Sequence, residues 1–274
     1  MRTSRTFLAF SLLLAFAEAG AAESSGFEEA LLGNISAVPV AAPSGSPEAV
    51  EDKDAPAFGR LVVYDFYAER FPGFYEASHQ NMEPYNIPEI LKDVPKMWKT
   101  YGELFKKVGM AMEMDPYALA AYCVFESYDE RPKKRNYNTR HKDGPASGIA
   151  STQAQYVKGG KVPGLKIRLP RSQEEASEVL RDNPEYGLRF LSAEFKAWYY
   201  GGDFFIACYS EKLYYKLFPG GFQGYHDLAK SFPRVASPAW TDPDSEANSS
   251  YRTQPEYVSR AYVLYKAFRA ADKN

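Results

Sequence analysis

Glu126 is the residue in this sequence best placed to move a proton. It closes the apolar run Ala120-Ala121-Tyr122-Cys123-Val124-Phe125 and is followed by Ser127. A carboxyl set on apolar walls prefers its neutral form, and the negative end of a helix dipole pushes the same way. That is what a general acid needs at neutral pH. The plainer alternative is a glutamate that emerges into solvent as a helix ends. Asp129 and Glu130 follow closely and are the candidates for a second carboxylate; the alternative is solvated charges that balance Arg131 and Lys133. Tyr209 and Tyr257 offer hydroxyls and flat ring faces, or else pack between helices. Cys123 and Cys208 are an even pair, either one disulfide or two buried thiols. His79, His141 and His226 are far apart, with no His or Cys pair at ligand spacing, so no metal and no cofactor is expected. Gly220-Gly221 follows a helix and opens no phosphate-cradling turn, and no nucleophile-elbow pattern is present.

The elements that must position these groups read as helices. Ile90, Leu91, Val94, Met97, Trp98, Tyr101, Leu104, Phe105 and Val108 recur at the spacing of an amphipathic helix, interrupted at Pro95. A second helix begins at Asp115-Pro116, where Asp caps free amides and Pro takes a first-turn position that needs no donor. It runs to about Ser127 and is apolar almost all round, the pattern of a helix buried at a domain centre. A basic polar stretch and a Gly/Pro-rich segment come next. Asn183-Pro184-Glu185 then starts a third helix, with Leu188, Leu191, Phe195 and Trp198 on one face. Gly201-Gly202 ends it, and Asp203 caps a fourth helix that runs to about Phe218. A last helix spans about Pro255 to Ala270. Leu61–Tyr67 suits a strand or a first helical turn equally well. The second half shows no β-alternation, so the main domain is expected to be mostly α.

The N-terminus speaks to compartment. Arg2 and Arg5 precede an apolar run from Phe7 to Ala17, and Ala19-Gly20-Ala21 supplies a small-residue cleavage pattern. Residues 1–21 read as a secretory signal peptide, and the chain as exported, periplasmic or secreted. The run is short for a bilayer crossing and no later segment is longer, so no stable membrane anchor is expected after cleavage. Residues 22–57 are poor in large apolar side chains and read as a disordered low-complexity linker. Residues 58–97 read as an N-terminal extension that packs on the domain, and 98–274 as the domain itself. With Lys+Arg 33 against Asp+Glu 35, no global basic excess points to nucleic acid as a partner. Aromatic residues make up 15% of the chain and concentrate after the linker, as in a helical core that also lines a cleft.

The segment Asp115-Pro116-Tyr117-Ala118-Leu119-Ala120-Ala121-Tyr122-Cys123-Val124-Phe125-Glu126-Ser127 resembles the catalytic helix of the soluble lytic transglycosylases, lysozyme-like enzymes that cut peptidoglycan. Ala146-Ser147-Gly148-Ile149 resembles the start of that family's Gly-Leu-Met-Gln motif, whose Gln falls on Ser151, with Gln153 two residues on. Asn183-Pro184-Glu185-Tyr186-Gly187-Leu188 and Gly201-Gly202-Asp203 resemble the helix and turn that lead to the Ala-Tyr-Asn motif, here Cys208-Tyr209-Ser210. Thr253-Gln254-Pro255-Glu256-Tyr257-Val258 resembles the late segment that ends Tyr-Val. The resemblance covers roughly Trp98 to Ala270 and implies a lysozyme-like helical domain of the goose-type and transglycosylase kind. It makes Glu126 the catalytic acid/base and Ser127, Ser151, Gln153, Tyr209, Ser210 and Tyr257 the substrate-binding candidates, with peptidoglycan glycan strands as the partner. Two departures stand out. The family's Asn is Ser210 here, and the stretch between Glu126 and Gly148 is longer and carries Lys133, Lys134, Arg135, Arg140 and Lys142. Those cations can attract anionic glycan or simply form a solvated loop. A Cys123–Cys208 bridge would tie the catalytic helix to the segment carrying Tyr209. Three activities remain open: transglycosylation, glycan binding without cleavage, and hydrolysis using Asp129 or Glu130.

Overall fold

The computed structural model describes residues 61–71, 74, 87–154, 170–198, 203–225 and 255–273. Residues 1–57, which the sequence reads as signal peptide and linker, and Gly201-Gly202 lie outside the described residues. The described part is mostly helical. Val62–Arg70 (α1) is a helix, which decides the ambiguous Leu61–Tyr67 run. Ile87–Met112 (α2) is a single helix. It passes without a break through Pro95 and through the 97/98 position where the domain was expected to open. Pro95 is exposed, so the carbonyl its missing N–H leaves unbonded faces the solvent side.

Pro116–Ser127 (α3) is the centre of the structure. Asp115 caps it as the sequence implies, its Oδ1 accepting from the amides of Tyr117 at 2.8 Å and Ala118 at 3.1 Å. Every residue from Pro116 to Val124 is buried. α2 and Pro255–Asp272 (α8) pack along it. The C-terminal end of α8 is held by Asp272, which accepts from Trp98 Nε1 at 2.9 Å and Tyr117 OH at 2.8 Å and pairs with Lys106 at 2.6 Å. α1 packs on α8 and on Asp203–Ala207 (α6). No described helix is long and apolar enough to cross a membrane.

Directly after α3 come five two-residue strands. Tyr128–Asp129 (β1) pairs antiparallel with Asn136–Tyr137 (β2). Lys142–Asp143 (β3), Ala146–Ser147 (β4) and Thr152–Gln153 (β5) form a second antiparallel sheet in that order. Strands this short leave no alternation to read. Gln173–Asp182 (α4) then forms a helix within a stretch whose Gly/Pro content suggested none. Its signal was local: Ser172 Oγ accepts from the Glu175 amide at 3.1 Å, and Glu175 Oε2 from the Arg171 amide at 2.7 Å, nearly the reciprocal capping box. Pro184–Trp198 (α5) follows, with Asn183 Oδ1 taking the Tyr186 amide at 3.1 Å. Ala154, Ala176, Leu180, Tyr186 and Phe190 close a smaller core that joins β5 to α4 and α5.

The expected fourth helix from Asp203 to Phe218 is two helices. α6 stops at Ala207, and Glu211–Leu217 (α7) restarts behind Ser210, whose Oγ caps it by accepting from the Leu213 amide at 3.1 Å. The break has a tertiary cause. Tyr209 forms a β-bridge with Met114, and the Ser210 amide donates to the Glu113 carbonyl at 2.9 Å, which local helix pattern cannot foresee.

Candidate functional site around Glu126

Glu126 lies in the last turn of α3, where the helix passes from wholly buried to partly exposed. The neighbouring Phe125 lies against the Tyr257 ring, centroids 4.9 Å apart, and Tyr257 meets Phe204 edge-on at 5.7 Å. Tyr257, itself buried, is therefore brought next to the Glu126 turn in a row of aromatic rings. Ser127 is also buried, and its hydroxyl donates to the Cys123 carbonyl at 2.9 Å, one turn back in its own helix. That hydroxyl is spent on the helix end.

Tyr209 and Ser210 are not brought to Glu126. The Asp115 amide donates to the Cys208 carbonyl at 2.5 Å, so residues 208–210 sit at the start of α3. Glu126 is at its other end, about 16 Å away at 1.5 Å per residue. Both are buried: Tyr209 serves the bridge to Met114 and Ser210 caps α7. The same geometry corrects the disulfide. Cys123 and Cys208 are free, buried thiols, and Cys208 Sγ donates to the Phe204 carbonyl at 3.6 Å. Cys123 lies two turns, about 12 Å, along α3 from the Asp115–Cys208 bond. A disulfide allows about 4.4–6.8 Å between Cα atoms. Burial pushes both thiols up, and the Glu126 charge adds to the effect at Cys123.

What does approach Glu126 is the segment directly after it. The Asn138 amide donates to the Ser127 carbonyl at 2.7 Å, the His141 amide to the Asn138 carbonyl at 2.9 Å, and the Gly148 amide to the His141 carbonyl at 2.8 Å. Ser151 and Gln153 belong to the hairpin that follows Gly148, both partly exposed. The Ser151 amide donates to the Gly148 carbonyl at 3.0 Å, and Ser151 holds a left-handed backbone at φ 48°. Gly148 is itself at φ 79°, and a Cβ there would lie 2.3 Å from the Leu180 carbonyl oxygen, so the turn requires glycine.

Two arginines of this stretch anchor it to neighbouring helices. Arg135 pairs with Asp93 at 2.8 Å and with Glu89 at 3.2 Å, Tyr128 OH also bonds Asp93, and Tyr137 OH donates to the Ala120 carbonyl at 2.8 Å. Arg140 pairs with Asp182 on α4. Arg131 forks onto Asp129, with Nε to Oδ1 at 2.8 Å, which holds that carboxyl below the usual carboxylate range. Lys133, Lys134 and Lys142 stay exposed. Glu130 is exposed as well, whereas Glu126 is partly buried. Among the described residues, no three His, Cys, Asp or Glu side chains gather as metal ligands.

Sequence reasoning passed over His141 except as a failed metal ligand. Its imidazole is partly buried and held below its ordinary value by desolvation, against the opposing charges of Asp143 and Glu126. No protein-family model, curated protein or solved structure matches this chain.

Proposed function

We propose that this protein is a lytic transglycosylase of lysozyme-like fold, exported to the periplasm or beyond, with Glu126 as its acid and base. The observation that carries the reading is a partly exposed Glu126 at the end of a wholly buried helix, followed at once by small antiparallel hairpins, while Asp129 is committed to Arg131. Most glycosidases need two carboxylates. A transglycosylase needs one. Glu126 protonates the oxygen of the β-1,4 link between N-acetylmuramic acid and N-acetylglucosamine, and the glycosidic bond breaks. The resulting carboxylate then removes the proton of the muramic C6 hydroxyl, whose oxygen closes a 1,6-anhydro ring. Glu126 ends protonated and ready for the next strand.

Incubation of purified murein with wild type and Glu126→Gln, with products weighed by mass spectrometry, tests this. Anhydro-ended fragments from wild type and none from the variant are expected. Reducing ends would replace the reading by hydrolysis. Binding by both proteins without cleavage would favour the second reading, a glycan-binding protein. That reading draws on the recruitment of Tyr209 and Ser210 into the packing at the far end of α3.

A further inference from the structure

The chain is close to neutral, with Lys+Arg 33 against Asp+Glu 35, yet its charges are not evenly paired. Lys92, Lys96 and Lys99 stand three and four residues apart on α2, so they are neighbours on one exposed face of that helix. The turn of residues 131–135 lies beside this face, closed by the Lys134 and Arg135 amides, which donate to the Arg131 carbonyl at 2.8 and 3.0 Å. Lys96 Nζ donates to the Arg135 carbonyl at 3.2 Å, and Arg135 itself pairs with Asp93 at 2.8 Å and with Glu89 at 3.2 Å. Lys96, Lys99, Lys133 and Lys134 therefore share one patch, and all four are exposed. The carboxylates around them are spent elsewhere. Glu89 serves Lys92 and Arg135, Asp93 serves Arg135 and Tyr128, Asp129 serves Arg131, and Glu103 serves Lys106. Among the described residues, none of the four lysines pairs with a carboxylate, and the exposed Glu130 is the nearest in sequence to offset them.

Four like charges in one patch repel one another, and a facing negative surface offsets that cost. The residue type says which kind of surface. Arginine grips a single phosphate or carboxylate with its planar fork, whereas lysine is a hydrated point charge on a flexible stem, suited to a high density of negative charge. The arginines of this patch are already committed, Arg131 to Asp129 and Arg135 to Asp93 and Glu89. The lysines stand on two elements side by side, so they spread over an area, as a plane of headgroups does. We propose that Lys96, Lys99, Lys133 and Lys134 form a cationic face that docks this protein on the surface of an anionic phospholipid bilayer. The contact is reversible and salt-sensitive, unlike an anchor. It does not draw on the catalytic reading of Glu126, so murein digestion and lipid docking stand or fall separately.

Sedimentation of the full chain with vesicles tests this, using phosphatidylcholine alone or mixed with an equal part of phosphatidylglycerol. Wild type should partition onto the anionic vesicles far more strongly than onto the zwitterionic ones, and the preference should fade as salt is raised to about 1 M, where charges are screened within about 3 Å. Each lysine near such a surface is worth on the order of fivefold in partitioning. Lys96→Gln with Lys99→Gln, and separately Lys133→Gln with Lys134→Gln, should each weaken binding by about twentyfold. Lys212→Gln with Lys216→Gln, exposed lysines on α7, should bind as wild type does. Far-ultraviolet circular dichroism checks that each variant is folded, and the two patch pairs test the face independently. Absence of binding, or equal binding to both kinds of vesicle, overturns the proposal. So does binding that both patch pairs leave unchanged, which would place it in another part of the chain such as the apolar run from Phe7 to Ala17. An equal loss in the α7 pair reduces the effect to net charge and also overturns it. Patch-dependent retention by soluble murein strands without vesicle binding would assign the lysines to a polymer instead.

Discussion

Asp203 should make this protein more stable in mild acid than at neutral pH, and replacing it should remove that dependence. Its carboxyl opens α6 in the interior and accepts a hydrogen bond from Tyr67 OH on α1, with Tyr214 and Tyr225 within reach of its charge. Burial pushes its pKa up from 3.8 to about 7, against the downward pull of the Tyr67 bond. The folded state therefore holds this proton more tightly than the unfolded chain does. The associated stability is complete below about pH 4 and is lost as pH rises through about 7. A displacement of about three units at 1.36 kcal/mol each amounts to about 4 kcal/mol. Asp203→Asn keeps the side chain's shape and its capacity to bond Tyr67 but removes the ionisation. Urea unfolding of wild type and Asp203→Asn at pH 5, 6, 7 and 8 isolates the effect, because Asp115, whose pKa burial lifts to about 6, contributes equally to both proteins. Relative to their difference below pH 4, the variant should gain about 1.6 kcal/mol on wild type by pH 5 and up to about 4 kcal/mol by pH 8, because between about pH 4 and 7 this carboxyl is ionised in the unfolded wild-type chain and still protonated in the folded one. Tyr67→Phe should cost more at pH 8 than at pH 5, because it leaves the carboxylate without its donor. A difference between wild type and Asp203→Asn that does not change with pH would refute the reasoning.

Two other perturbations test the site and its support. Gly148→Ala should destabilise the fold by about 2 kcal/mol or more, since φ 79° strains an alanine and its Cβ meets the rigid Leu180 carbonyl at 2.3 Å; a melting temperature equal to wild type would show that the turn relaxes freely. Cys123 and Cys208 should stay unlabelled by a thiol reagent in the native protein and both react once it is denatured; a chain that exposes no thiol when denatured without reductant would restore the disulfide.

Legibility followed the range of the causes. α3 was readable to its ends because everything that defines it is local: Asp115 at the cap, Pro116 in the first turn, and an unbroken apolar run. α4 was just as local, yet its Ser172 and Glu175 signature was masked by the Gly/Pro-rich residues before it. The division of α6 from α7 was not legible, since Phe204 to Leu217 reads as continuous helix and the interruption is imposed by Met114 and Glu113 from a distant segment. The disulfide failed for the same kind of reason. Sequence gives the parity of cysteines, whereas bridging depends on where along α3 the Cys208 carbonyl docks. The place of Glu126 at the end of a buried apolar helix was legible, because that helix is a local pattern. The approach of the segment after it was not, because it depends on backbone bonds between loop residues, Asn138 to Ser127 and Gly148 to His141.

Under the proposed function, these placements change which residues would meet a glycan. Of the six residues that the resemblance nominates for binding, Ser127 and Ser210 spend their hydroxyls on helix ends, and Tyr209 and Tyr257 are buried. Ser151 and Gln153 remain partly exposed, and both lie in the stretch that also carries His141. Among the described residues, the nominated side chains that stay partly exposed thus lie with Glu126 in one contiguous segment, residues 126–153. Such a segment can keep its geometry only if it is braced, because two-residue strands hold little by themselves. The ion pairs of Arg135 and Arg140 provide that bracing on opposite sides. The longer, more basic stretch after Glu126 is then first a means of holding its own geometry. Under the proposed function, its exposed Lys133, Lys134 and Lys142 are the cations free of these braces that would meet an anionic strand.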